Sequence, residues 1–523
     1  MKNNLSNSDI AFYLSELLKY NKIKNVCICP GSRNTPLTLS FLNNPYFNCT
    51  YHIDERSSAY FSLGISKRLK KPSIIITTSG TAVGNLLPAI IEADLSMTPL
   101  IVITADRPKK TIGTGENQTI KQDAIFKDFV RESIHIKNKK VRITILQNMI
   151  NKCMGINKKY PPGPIHINVS FEEPIVDSIN IKKIDFSNII KTNVTFKNKN
   201  LSCITKKPLI ICGENNNSKN NKIILALAKK LNAPIFADPI SQLRYHTKDK
   251  HIFSLYDFYI DRLPSKPDLI IRFGRKPVSK QINDYLKRFK GRIVLLLENK
   301  IYNDNAAPYS LSTTNLKSDV QSKFWFDKLY NLEQQTITKM NSKIKSSFFE
   351  GSIIATCIEN LKDNDNLFIG NSLSIRMLEQ YTINIRKKIN VYSNRGASGI
   401  DGLISTSLGM SYANQKNRNI LILGDVSFFY DLNALLITHN HNINLSIVIL
   451  NNNGGKIFKS LPYAKDIKEK HNKFWLTPVD LNIKKISNLY KGKYSNLKSI
   501  LDINKRLNSI IDTKGINIIE INC

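Results

Sequence analysis

Short apolar runs, each stopped by a polar or glycine-containing turn, recur along the whole chain. Asn25–Cys29, Ser73–Thr77, Leu100–Thr104 and Pro161–Val169 form a first set. Pro208–Cys212, Ala233–Asp238, Leu269–Phe273 and Ile293–Leu297 form a second. Leu367–Ile369, Asn390–Ser393, Asn419–Leu423, Leu445–Leu450 and Asn517–Ile521 form a third. Runs of this length without alternation are the pattern of strands buried on both faces of a parallel sheet. Between them the spacing is helical: Ile10, Leu14, Leu17 and Leu18 share one face of a helix over 5–20, and 320–350 is charged and helical. This alternation predicts an α/β fold of three doubly wound parallel-sheet domains, at 1–180, 198–340 and 346–523. The Lys- and Asn-rich stretch 178–200 is predicted to be a linker.

Composition narrows the class without changing that outline. A length of 523 residues is too great for one core and sufficient for three. The N-terminal stretch lacks the basic-then-apolar plan of a signal peptide, and no apolar run is long enough to span a bilayer, so a cytoplasmic enzyme with no membrane insertion is expected. The eight cysteines form no CxxC pair, which points to neither disulfides nor zinc. The net charge of +35 comes from lysines spread along the chain rather than gathered in a stripe with aromatics. It predicts weak, salt-sensitive contact with polyanions and no specific nucleic-acid partner.

The candidate chemistry lies where strands end. Asn419–Leu423 runs into Gly424-Asp425, and Leu445–Leu450 into Asn451-Asn452-Asn453-Gly454-Gly455, with a helical stretch between. A βαβ crossover sets the carboxyl ends of two parallel strands side by side. Asp425 and Asn452, 27 residues apart, therefore meet at the edge where such sheets bind ligands. A carboxylate, an amide oxygen and a loop carbonyl suit Mg²⁺, although GD and NN also serve simply as turn residues. Four arginines, Arg33, Arg107, Arg376 and Arg395, each follow a predicted strand in a chain otherwise biased to lysine. Arginine recognises carboxylates bidentately, so the edge looks built for a substrate with several carboxylates.

The spacing of Gly424-Asp425 and Asn451-Asn452 resembles the diphosphate and metal signature of thiamine-diphosphate enzymes. The run Asn451–Phe458 (NNNGGKIF), the turn Pro30–Leu37 (PGSRNTPL), and the segments PPGPIHINV and FEEP near residue 170 resemble one family among them, MenD. Those enzymes are the 2-succinyl-5-enolpyruvyl-6-hydroxy-3-cyclohexene-1-carboxylate synthases. The likeness is strongest at 26–131, 161–174 and 367–462. It implies pyrimidine-binding, central and diphosphate-binding domains. It also implies a thiamine-diphosphate-dependent transferase (carboligase) that joins decarboxylated 2-oxoglutarate to isochorismate for menaquinone.

Residue by residue, the resemblance makes Glu55 the glutamate that hydrogen-bonds the aminopyrimidine, so that its nitrogen removes the thiazolium C2 proton. Ser32, Gly80, Gly424 and Asp425 would contact the cofactor, with Ile400 as the apolar prop that bends it. Asp425, Asn452 and the Gly454 carbonyl would hold Mg²⁺ or Mn²⁺. Arg395 and Gln118 would be catalytic, and both would also bind substrate together with Ser32, Arg33, Arg107, Asn117, Lys280, Ser372 and Arg376. Ile457 and Phe458 would line the isochorismate side. The family also implies a homodimer or homotetramer with active sites at the subunit interface, Glu55 and Asp425 serving one cofactor from different chains. Two other readings stand beside this one: a thiamine enzyme acting on another 2-oxo acid such as pyruvate, and a nucleic-acid-binding protein on an inactive enzyme fold.

Overall fold

The computed structural model describes residues 5–137, 141–156, 160–179, 181, 184, 186, 200–215, 219–245, 248–296, 310–311, 313–383, 385 and 387–523. Most of the expected linker 178–200, and Leu297 at the end of one expected strand, lie outside them. The chain forms two compact units, Met1–Val194 with Asn394–Gln415 and Tyr430–Asn444, and Thr195–Ser393 with Lys416–Phe429 and Leu445–Cys523.

The first unit is built on β1 (Asn25–Ile28), β2 (Asn48–Tyr51), β3 (Ser73–Thr77), β4 (Leu100–Asp106), β5 (Ser133–Ile136) and β6 (Pro164–Ser170). They form a parallel sheet in the order β2-β1-β3-β4-β6-β5. Ile74, Ile76, Ile101, Ile103, Ile165 and Ile167 fill its centre against Leu14, Leu17, Phe41 and Met149 from flanking helices. Burial of each such side chain contributes roughly 1.5–3 kcal/mol, which explains why apolar runs locate central strands so well. The edge strand β5 (SIHI) carries polar, partly exposed positions and so left no apolar run to read. The first helix starts at Asn7 because Ser6 and Asp9 form a reciprocal capping box.

Within this unit the helix Glu55–Leu69 packs along the helix Leu403–Ala413. A Cβ at Gly64 would run into the Thr406 carbonyl, and one at Gly409 into that of Phe61. Only glycine permits the backbones to approach that closely. The crossover after Asp425 is a short helix, Asp425–Tyr430, and then a 3₁₀ helix, Leu432–His439, where one helical stretch was expected.

The second unit holds two six-stranded sheets. β7 (Asn200–Thr205) precedes β8 (Pro208–Cys212), β9 (Ile235–Ala237), β10 (Ile252–Phe253), β11 (Leu269–Phe273), β12 (Arg292–Leu296) and β13 (Ser310–Leu311), ordered β10-β9-β8-β11-β12-β13. β14 (Thr313–Ser318) pairs with β7 in a separate two-stranded ribbon. The third sheet contains β15 (Asn366–Ile369), β16 (Asn390–Tyr392), β17 (Asn419–Gly424), β18 (Leu445–Asn451), β19 (Lys493–Asn496) and β20 (Ile516–Asn522). Its order is β16-β15-β17-β18-β20-β19. Every pair is parallel, as the unalternating apolar runs predict. The polar edge strand β19 (KYSN) went unseen for the same reason as β5.

Candidate functional site

The carboxyl edge of the first sheet gathers cations and hydroxyls. Arg33, in the turn after β1, is buried to 8% exposure, donates 3.1 Å to the Phe171 carbonyl and pairs at 3.2 Å with Glu173. Arg107 follows β4, and its Nε is buried without a hydrogen-bond partner among the described residues. Burial, and next the Arg107 cation, lower the Arg33 pKa from its usual value. Two guanidiniums brought together against one carboxylate that is 70% exposed make a site that favours an added anion. The hydroxyls of Thr77, Thr78 and Ser79, at the end of β3, are buried and unpartnered among the described residues. Such orphans are rare in folded chains and fit a polar ligand here.

The loop after Arg107 closes on the same edge. Gly80, at φ +86°, donates its N–H to Gln122 Oε1 at 3.2 Å, and Gln118 stands at φ +53°. A non-glycine residue held there stores strain of the kind found at ligand sites. The Asn117 and Gln118 side chains are exposed, as is Ser32, whose carbonyl accepts the Thr35 amide at 3.2 Å.

Glu55 opens its helix directly after the N-cap Asp54, whose carboxylate accepts the Ser57 amide at 3.1 Å. The half-buried Glu55 carboxylate accepts from Asn85 Nδ2 at 3.3 Å. Asp54 also receives Asn433 at 3.2 Å, and Arg56 donates to the Tyr430 carbonyl at 3.2 Å. Asp431 is fully buried and accepts the Ser405 amide and hydroxyl at 2.7 and 2.9 Å, while burial pushes its carboxyl up to about 7. Arg395 and Ile400, both half-buried, belong to this unit, so Glu55, Arg33, Arg107, Asn117, Gln118, Arg395 and Ile400 share one compact body. A cavity of about 260 Å³ beside Asp54 is lined by Tyr51, His52, Phe61, Asn433, Leu436 and His439, and by none of the expected site residues.

The edge of the third sheet carries oxygen ligands instead. Asp425, at the end of β17, is buried, and its Oδ2 accepts the Gly454 amide at 2.7 Å. Burial raises its pKa, and the amides of Gly454 and Val426 oppose that rise. Asn452, just beyond β18, donates Nδ2 to Glu350 Oε1 at 3.1 Å, which leaves its buried Oδ1 unpartnered among the described residues. The Gly454 carbonyl accepts only the Lys456 amide at 2.9 Å among the described contacts and keeps a second lone pair. A buried carboxylate, an orphaned amide oxygen and a loop carbonyl fit a hard divalent cation, and Gly424 sits directly before them. In the loop after β15, Ser372 stands at φ +66° and its carbonyl accepts Arg376 at 2.5 Å. Ile457 and Phe458 are half-buried in the 3₁₀ turn Lys456–Ser460. Lys280 opens a helix of the second sheet, 76% exposed, with its ammonium 2.6 Å from Asp284 on the same helix.

Several acids escaped the sequence reading. Asp106, Asp123 and His135 gather within 4.8 Å of one another. His135 hydrogen-bonds Asp123 through Nδ1 and lies 2.7 Å from Ser170 through Nε2, and Lys137 pairs with Asp123 at 2.6 Å. With the Lys137 cation already in place, the cluster ties down both ends of the loop that follows Arg107. Glu92 and Glu350 also hold site loops, and Glu92 left one legible signal, an acid inside the apolar helix Leu87–Leu95.

Three family models cover the chain. Thiamine pyrophosphate enzyme, N-terminal TPP binding domain, matches residues 8–125; middle domain of thiamine pyrophosphate matches 186–369; and the C-terminal TPP binding domain matches 374–521. Fold and matched domains together define a thiamine-diphosphate-dependent enzyme. Among its relatives are proteins named 2-succinyl-5-enolpyruvyl-6-hydroxy-3-cyclohexene-1-carboxylate synthase. The one from Listeria welshimeri is 32% identical over 98% of this chain and 94% of its own. That from Bacillus pumilus is 33% identical over 100% and 95%, and that from Staphylococcus epidermidis 33% over 94% and 90%. The chain belongs to this synthase family. Among the described residues no helix is long and apolar enough to cross a membrane.

Proposed function

We propose that the protein decarboxylates 2-oxoglutarate and adds the remaining succinyl unit to isochorismate. The product is 2-succinyl-5-enolpyruvyl-6-hydroxy-3-cyclohexene-1-carboxylate, for menaquinone biosynthesis. The observation that carries this reading is the neighbouring pair of buried Arg33 and half-buried Arg107, the latter with a buried Nε that has no partner among the described residues, which suits a dicarboxylate and is more than pyruvate calls for. Thiamine diphosphate, when bound, supplies the electron sink for decarboxylation and carboligation.

The chain's own residues supply placement and field. Glu55 would hydrogen-bond the aminopyrimidine, and Asn85 donates to its carboxylate at 3.3 Å. The buried hydroxyls of Thr77, Thr78 and Ser79, which have no partner among the described residues, would face the cofactor together with Ser32, Ile400 and Gly424. Asp425, Asn452 and Gly454 would hold Mg²⁺ or Mn²⁺, whose charge would favour binding of the diphosphate. Arg33, Arg107, Arg376, Arg395, Asn117, Gln118 and Ser372 take the substrate carboxylates, with Ile457 and Phe458 on the isochorismate side. Our reading includes a cytoplasmic homodimer or homotetramer, in which Glu55 and Asp425 of different subunits serve one cofactor.

The deciding experiment measures carbon dioxide release from 2-oxoglutarate with thiamine diphosphate and Mg²⁺, with and without isochorismate. Release that accelerates with isochorismate, and a coupled product of the expected mass, is the predicted result. Release from pyruvate in preference would replace the substrate assignment with another thiamine-dependent 2-oxo-acid enzyme.

A further inference from the structure

Glu92 is a carboxylate buried to 1% exposure on the helix Leu87–Leu95. Its Oε1 accepts the Gly396 amide at 3.0 Å and its Oε2 the Ala397 amide at 2.7 Å. Lys67, from the helix that Glu55 opens, pairs with Oε1 at 3.2 Å, its side chain 8% exposed. Two successive amides and one ammonium satisfy the charge, so this buried ion costs little and cannot be removed cheaply. The loop meets it at close range. A Cβ at Gly396 would fall 2.7 Å from the Glu92 carbonyl oxygen and 2.9 Å from Oε2. The residue immediately before this grip is Arg395.

We propose that Glu92 is a positioning residue: it clamps the 396–397 backbone so that the Arg395 guanidinium is held ready for a substrate carboxylate. This rests on the reading of Arg395 as a substrate-binding residue. Lys67 makes the clamp a link between that loop and the helix bearing Glu55, so the carboxylate-binding and proton-handling groups share one support. A flexible arginine head needs a fixed base, because misplacement by about 1 Å can cost up to about a hundredfold in rate.

The test compares Glu92→Gln, Gly396→Ala and Arg395→Ala, each alone and the first two combined with the third, in the full chain with thiamine diphosphate and Mg²⁺. The readouts are kcat/KM for 2-oxoglutarate and for isochorismate, and the affinity for thiamine diphosphate. Glu92→Gln and Gly396→Ala are expected to lower kcat/KM about tenfold or more for whichever dicarboxylate Arg395→Ala impairs, with cofactor affinity unchanged. In the double variants the loss should be no greater than that of Arg395→Ala alone. Losses that add in full, or that fall equally on cofactor affinity, would overturn the clamp. An Arg395→Ala protein with both substrates unaffected would instead overturn the reading of Arg395, and the role of Glu92 with it. Gly396→Ala, which leaves the Lys67 pair intact, decides the matter if Glu92→Gln does not fold.

Discussion

The first and third sheets have the same strand order, counted from the first strand of each, yet their carboxyl edges carry different side chains. After β1, β3 and β4 of the first come Arg33, hydroxyls unpartnered among the described residues, and Arg107; after β17 and β18 of the third come Asp425 and Asn452. In both, the residues follow the carboxyl ends of central strands, the edge at which such sheets bind ligands. The side chains that follow the strands differ: Arg33 and Arg107 after the first sheet, Asp425 and Asn452 together with Arg376 and Arg395 after the third. One strand order thus carries two different sets of side chains.

That contrast can be broken in order of expected effect. Glu55→Gln should lower turnover by about 10²–10⁴-fold while thiamine diphosphate still binds, checked by steady-state rates beside a cofactor titration; near-normal turnover would remove Glu55 from the chemistry. Asp425→Asn should do the reverse, weakening Mg²⁺-dependent cofactor binding by at least about tenfold to a hundredfold, read as loss of the Mg²⁺-induced rise in Tm. Arg395→Ala should lower kcat/KM for a dicarboxylate by roughly tenfold to a hundredfold with cofactor affinity little changed. Equal losses in both would make it structural.

Two smaller effects separate support from chemistry. The Asp431 carboxyl, pushed from its usual 3.8 to about 7 by burial, keeps in the fold a proton that the unfolded chain releases. Its contribution to stability therefore falls as pH rises from about 4 to about 7, by up to about 4 kcal/mol. Urea denaturation across that window should show the slope, and Asp431→Asn should flatten it. Lys280→Gln should change stability by less than about 0.5 kcal/mol and leave KM for both substrates unchanged, since its ammonium is exposed and paired with Asp284. A raised KM would bring the second sheet into substrate recognition.

How much could be read in advance differs between the two edges. The edge with Asp425 is local: Asp425, Asn452 and Gly454 fall within one βαβ unit, so spacing alone brings them to one place. The arginine-bearing part of the first unit is assembled from far apart, from the Arg33 turn, the Gly80 turn, the loop after Arg107 and the segment around Arg395. There the sequence offered residue types and strand ends without their contacts. Edge strands β5 and β19 were invisible because half-exposed polar strands carry no apolar run.

The sequence by itself determined the three parallel sheets, the place of each loop at a strand end and the charge each loop offers. All of these follow from local periodicity and residue chemistry. Only the tertiary structure decided that segments 394–415 and 430–444 join the first unit, that Glu92 grips the loop after Arg395, and that Glu350 turns the Asn452 amide. Those are contacts between residues tens to hundreds of positions apart. Burial creates their energy by stripping water from charged and polar groups, and no pattern along the chain records which groups will meet.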